Sequence, residues 1–441
     1  MKRFLIALLM VVPVWASAQN DPYADVDPSG QTVVFWHQHT RDREASLTQI
    51  VTEFNETNEY GITVEAEYQG GYGDIFQKML PLLGTSDTPN LVVAYQNQAA
   101  TYQLAEGLID MTPLVDSPTW GLSDEAKADF FEGFYNADVF PTFGGARLGF
   151  PPNRSMEVMY YNSDWLAELG YDAPPATPEA FREIACAASE QGFSEAMAPE
   201  RRGYELSIDA SRFASWTFAF GGDIFDYDAG EYTYNSDAAI EAMTFLQDLF
   251  NDGCATQVTE RFGDQTNFGA GTTLFTVGSS SGLPFYESAV SEGADFSWSV
   301  AAMPHVTDEP VMNLYGASVS MPQGHSPEAE LATWLFIEYY TSTAAQADWA
   351  VASNYFPVRR SVADSLSDYF EVNPAYASAF ELLEYGQAEP PVPGYDFVRD
   401  IVEIEMTAIA DGADVAETLE ALNEEANEIL QDQLEQLEAG N

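Results

Sequence analysis

The stretch TVVFWHQHTRDREASLTQIVTEFNETN (residues 32–58) decides the fold class. Thr32–His37 is a short run of β-branched and aromatic residues, the composition of a strand. Over 43–57, Leu47, Ile50, Val51 and Phe54 recur at three- and four-residue spacing, which places them on one face of a helix. Working outward, 62–68 is a second strand. Gly70-Gly71-Tyr72-Gly73 then opens a helix over 74–83, and 90–95 (NLVVAY) is a third strand. Strand alternating with helix in this way marks an α/β domain with a mainly parallel sheet.

The alternation returns downstream with different spacing. Strands are expected at 156–161, 272–277, 297–302 and 311–321. Helices are expected at 163–170, 177–188, 210–220, 237–250, 328–341, 344–350, 398–410 and 415–437. No linker rich in Pro or Ser separates two halves, so the chain crosses between two lobes more than once.

The 441 residues contain 70 Asp+Glu against 16 Lys+Arg, a formal charge of −54. That balance excludes nucleic acid as a partner, because phosphates demand a basic face, and it disfavours docking on anionic lipid. Aromatic residues at 13% supply real cores and argue against a disordered acidic chain. Lysine occurs only at Lys2, Lys78 and Lys127. Such a surface suits a saline habitat, where counterions screen self-repulsion.

Residues 1–18 read as a signal peptide: Lys2-Arg3, an apolar run from Phe4 to Trp15, then Ala16-Ser17-Ala18. The run is too short to span a bilayer. Removing it takes two basic residues and no acid, so the exported chain carries 14 − 70 = −56. No Cys follows the cleavage site to carry a lipid, and 19–30 reads as a flexible lead-in. Export to a periplasmic or extracellular space makes the two cysteines, Cys186 and Cys254, candidates for a disulfide; two separate buried thiols are the alternative.

Catalytic signatures are missing: there is no GxSxG, HExxH, P-loop or GxGxxG. His37 and His39 could share a strand face, yet no third ligand stands near them, and neither a metal nor another cofactor is expected. What remains is a set of aromatic and small polar residues at strand ends and loops: Trp36, Tyr72, Gln96, Arg154, Ser155, Ser280, Gly316 and Tyr355. Ligands of open α/β sheets sit beyond the carboxyl ends of strands. Aromatic faces pack on sugar C–H groups while amides and hydroxyls bond the sugar hydroxyls.

An ordered series of segments carries a family resemblance: residues 32–58, YQGGYGDIFQKM (68–79), PNLVVAYQNQAATY (89–102), PPNRSMEVMYYNSDWLAELG (151–170), TLFTVGSSSGLPFY (273–286), YGASVSMPQG (315–324) and SNYFPVRRS (353–361). The chain resembles the family 1 extracellular solute-binding proteins of ABC transporters, in particular their glycerol-3-phosphate and sugar-binding branch. The resemblance implies a type II periplasmic-binding-protein fold with two α/β lobes. It divides the chain into lobe 1 (31–141 with 277–325) and lobe 2 (142–276 with 326–441). It also implies a cleft that closes on a carbohydrate, a polyol or its phosphate, and delivery by a monomer to a membrane permease. Tyr72, Gln96, Ser155, Ser280, Gly316 and Tyr355 match the branch's binding positions, and Trp36 joins them. The branch has Glu where Gln96 stands, and an Arg near 389–394, where this chain reads EPPVPG. Arg154 is the candidate replacement for that cation. A secreted polysaccharide hydrolase is the competing reading, and a chemosensory binding subunit a third.

Overall fold

A computed structural model describes residues 21–260 and 262–440. The signal-peptide stretch 1–18 lies outside the described residues. Two sheets organise the chain. The first has the order Ser318–Ser320, Leu91–Ala94, Thr32–His37, Thr63–Tyr68. Its inner pairings are parallel, and only Ser318–Ser320 runs antiparallel. The second has the order Ala255–Gln257, Arg202–Leu206, Thr273–Ser279, Ser155–Asn162, Met312–Tyr315, Gly386–Ala388, with Trp298–Ala301 also paired to Ser155–Asn162. This sheet is mixed, because its long central strand Ser155–Asn162 opposes all three of its neighbours.

Helices cover both sheets. Arg41–Thr57 buries Leu47, Ile50, Val51 and Phe54, the stripe read from sequence. Phe336 of Pro327–Tyr340 sits 5.3 Å from Phe54 and 6.0 Å from Phe35, joining helix, helix and strand in one apolar layer. In the second lobe Phe181 lies against Tyr204, Trp216 and Phe275. The Cys186–Cys254 disulfide ties the helix Pro178–Glu190 to the chain just before the edge strand Ala255–Gln257.

The expected single strand 311–321 is two strands in different sheets. Met312–Tyr315 pairs in the second sheet and Ser318–Ser320 in the first. Gly316, at φ 138°, makes the break in a backbone region that side chains disfavour. Beside it run two more crossings, where Phe150 bridges Val319 and Arg154 bridges Phe356. Three crossing segments therefore lie together. They move the lobe boundaries from those expected: Trp298–Ala301 and Met312–Tyr315 belong to the second sheet, and helices Pro327–Tyr340 and Thr343–Ser353 pack on the first lobe. Apolar patterning shows that such segments are buried, but not against which sheet. The lead-in also departs from expectation over 21–30. The Tyr23 hydroxyl donates to Glu330 at 2.7 Å, and its carbonyl accepts from the Trp120 indole at 2.8 Å.

One half-buried acid, Asp223, is expected to give the second lobe a pH dependence. Gln387 donates to Asp223 Oδ2 at 2.8 Å. Burial pushes this carboxyl up from 3.8 to about 6, against the opposing pull of the Ile224 and Phe225 N–H groups. An acid raised on folding contributes stability below its unfolded pKa and loses it as pH climbs through the folded value. Asp223→Asn is therefore expected to be more stable than wild type by about 1–3 kcal/mol near neutrality, with the margin narrowing as pH falls toward 4. Urea melts at the two pH values check this; a margin independent of pH would refute it.

Candidate functional site

A cavity of about 440 Å³ lies between the two lobes, within the range of small-molecule sites. The first lobe supplies two tyrosines at helix starts. Tyr72 opens the helix Tyr72–Met79, whose N-terminus is closed by Asp74 accepting from Gly71 N–H at 2.9 Å. Tyr95 precedes the helix Gln96–Leu104, and its N–H donates to Gln98 Oε1 at 3.0 Å. The rings stand 4.8 Å apart, and Gln38 donates to the Tyr72 hydroxyl at 2.8 Å. Burial, with the Tyr355 and Tyr95 hydroxyls alongside, pushes the Tyr72 hydroxyl well up, so it stays a neutral donor and acceptor.

The second lobe supplies the charge. Asp209 caps the helix Ala210–Ala219, with Arg212 one turn on. Gly394, at φ 78°, starts the helix Tyr395–Ala410, and a Cβ there would meet Gln433 Cγ at 2.8 Å. That tight start presents Tyr395, Asp396 and Arg399 to the cavity. Glu389 follows the strand Gly386–Ala388, and Tyr315 ends Met312–Tyr315.

These groups are interlinked. Arg399 donates to Glu389 at 2.7 Å, to Asp209 at 3.1 Å and to the Ser211 hydroxyl at 3.1 Å. Glu389 also accepts from Tyr395 at 2.5 Å and Asn313 at 3.0 Å. Arg212 lies 3.4 Å from Glu157 and 3.6 Å from Asp209. Burial acts to raise Asp209, but Arg212 and Arg399 outweigh it and hold its carboxyl below the ordinary value. Glu157, fully buried behind the wall, goes the other way: burial raises it more than Arg212 and Tyr315 lower it. Asn97 of the first lobe donates to Asp396 of the second at 2.5 Å, a contact across the cleft.

Of the residues singled out in the sequence, Tyr72, Gln96 and Arg154 line the cavity. Gly316 borders it, its carbonyl 3.5 Å from the Gln96 amide. Tyr355 lies beside Tyr72 under the Arg43 guanidinium, which stacks 4.4 Å above its ring. Ser155 donates to the Tyr315 carbonyl and Ser280 accepts from Met156 N–H, so both brace the strand behind the wall. Trp36 points elsewhere: its indole N–H donates to Glu67 on the neighbouring strand at 3.1 Å. Arg154 is not poised as an anion anchor. Its terminal nitrogens donate to Asp138, Ser318 and the carbonyls of Asn153 and Ala317.

Sequence reading missed Asp209, Arg212, Glu389, Tyr395, Asp396 and Arg399. The usable signals were Asp209-x-x-Arg212 at a helix start and Gly394-Tyr395-Asp396-x-x-Arg399 at another. Among the described residues, the only metal-like cluster is Cys186, Asp252 and Cys254. Its two sulfurs are bonded to each other and cannot serve as thiolate ligands. No helix among the described residues is long and apolar enough to cross a membrane.

Two α/β lobes, three adjacent crossings and a polar cavity between the lobes define a clamp of the type II binding-protein class. The chain belongs to the bacterial extracellular solute-binding protein family, whose model matches residues 49–378. It is 22% identical over 422 residues to the sn-glycerol-3-phosphate-binding periplasmic protein UgpB of Escherichia coli K12, covering 90% of this chain and 92% of the relative. The fold is shared with UgpB from Mycobacterium tuberculosis, solved in complex with glycerophosphocholine (TM-score 0.74, 22% identity, 92% and 100% coverage). It is also shared with the sugar-binding protein MalE of Xanthomonas citri (TM-score 0.77, 19% identity, 91% and 98% coverage). This is an extracellular solute-binding protein.

Proposed function

We propose that the chain is exported by its N-terminal signal, captures a small polyhydroxylated solute between its lobes and hands it unaltered to a membrane permease. The solute class is a carbohydrate, a polyol or a phosphate of one. The observation that carries this reading is the interlobe cavity, faced by Tyr72, Tyr95, Tyr315 and Tyr395 with amide and guanidinium donors between them. Rings cover C–H faces and the polar groups take hydroxyls, a division of labour suited to sugars. The ligand chemistry of the relatives, glycerol-3-phosphate, glycerophosphocholine and sugar, supports the same class.

Binding without turnover fits the cavity's carboxylates. Glycoside hydrolysis needs one acid holding a proton for the leaving oxygen and a second carboxylate facing it. Here Asp209 and Glu389 accept from Arg399, and Asp396 accepts from Asn97.

A thermal-shift screen of sugars, polyols and their phosphates tests the proposal. At 100 times its dissociation constant a ligand stabilises by about 2.7 kcal/mol, a clear rise in melting temperature. A screen with no responding solute, or a bound oligosaccharide recovered cleaved, would overturn it.

A further inference from the structure

Three arginines line the cavity, and every one faces a carboxylate. Arg154 pairs with Asp138 at 2.9 Å, with both side chains 1% exposed. Arg212 faces Glu157 and Asp209. Arg399 sits between Asp209 and Glu389. Asp209, Glu389 and Asp396 line the cavity, and Asp138 and Glu157 hold Arg154 and Arg212 from behind it. Among the residues that line the cavity, Arg154, Arg212 and Arg399 stand against Asp209, Glu389 and Asp396, a formal balance of 3 − 3 = 0, so no surplus positive charge faces a ligand.

We infer that these carboxylates set the charge selectivity of the cleft, with Glu389 the deciding residue: the site accepts an uncharged polyhydroxylated solute and rejects its phosphate monoester. The inference rests on the solute-capture reading above and narrows it. A guanidinium between two carboxylates keeps N–H donors for a neutral hydroxyl. Three of the five on Arg399 are used within the protein. Its field, however, is cancelled by the carboxylates on either side before a dianion arrives, so burying the dianion in a partly desolvated site is not repaid. Glu389 is the point of control because it holds Arg399 directly and is itself fixed by Tyr395 and Asn313. Glu389→Gln keeps the shape and removes one negative charge, leaving Arg399 with Asp209 alone.

The test is calorimetric titration of the full exported chain with matched pairs: glycerol and glycerol 3-phosphate, glucose and glucose 6-phosphate, sorbitol and sorbitol 6-phosphate. In wild type, the neutral member of any binding pair is expected to bind about 10–100-fold tighter than its phosphate. In Glu389→Gln that ratio is expected to fall at least about tenfold, chiefly by gain for the phosphate. Glu157→Gln, which leaves Arg212 with Asp209 alone, provides the second variant should the first fail to fold, and the same direction is expected. Wild type preferring a phosphate, or a ratio unmoved in a folded variant, would overturn the charge assignment while leaving solute capture standing. If all six compounds fail to bind, both the capture reading for this solute class and the inference fall together.

Discussion

Arg154→Ala is expected to destabilise the protein by about 3–5 kcal/mol, the cost of removing one partner from a buried ion pair. Arg154 and Asp138 are each 1% exposed and 2.9 Å apart. The same guanidinium donates to the Ser318 hydroxyl at 2.7 Å, and to the carbonyls of Asn153 at 3.0 Å and Ala317 at 3.4 Å. Truncation leaves a buried carboxylate without its cation and two backbone acceptors without this donor. All of these lie where the chain crosses between lobes. Urea denaturation measures the loss. Replacing Arg154 and Asp138 together by Leu is expected to recover much of it, because no charge is then stranded. Wild-type stability in Arg154→Ala, with ligand binding gone, would instead restore the anchor role read from the sequence.

Breaking the Cys186–Cys254 bond is expected to cost about 4 kcal/mol, the chain-entropy estimate for a loop of this length. The bond closes a separation of 68 residues. It also clamps the beginning of a three-residue edge strand, Ala255–Gln257, which has only Arg202–Leu206 as a neighbour. A Cys186→Ser, Cys254→Ser double variant should therefore melt well below wild type, and dithiothreitol should lower the wild-type midpoint toward that of the variant. Equal midpoints with and without reductant would contradict the assignment.

The first lobe was legible because its strands and its first helix are contiguous and strongly patterned. Thr32–His37 and the Leu47–Phe54 stripe stand where the periodicity puts them. The second sheet was harder to read. Arg202–Leu206, Ala255–Gln257 and Gly386–Ala388 are short strands that alternation does not mark. Two sheets sharing one apolar run hid the break at Gly316.

The site was legible in its aromatic part and not in its charged part. Tyr72 stood out beside glycines at a helix start. Asp209, Glu389 and Arg399 come from segments up to 190 positions apart, and among 70 acids the helix-start spacing Asp209-x-x-Arg212 is a faint local mark that does not point to its distant partners. Arg154 was visible as a cation beside a strand, but the partner that neutralises it, Asp138, lies 16 residues back in a loop.

The three crossings at Phe150–Arg154, Gly316–Ala317 and Asn354–Phe356 lie side by side, and the middle one is only two residues long. Tethers that short cannot stretch, so sliding one lobe past the other would break ladder hydrogen bonds on both sides. Swinging about the line they form changes only a few torsions. Like a door on three pins, the molecule is expected to open most readily by that swing, which widens or narrows the mouth of its cavity.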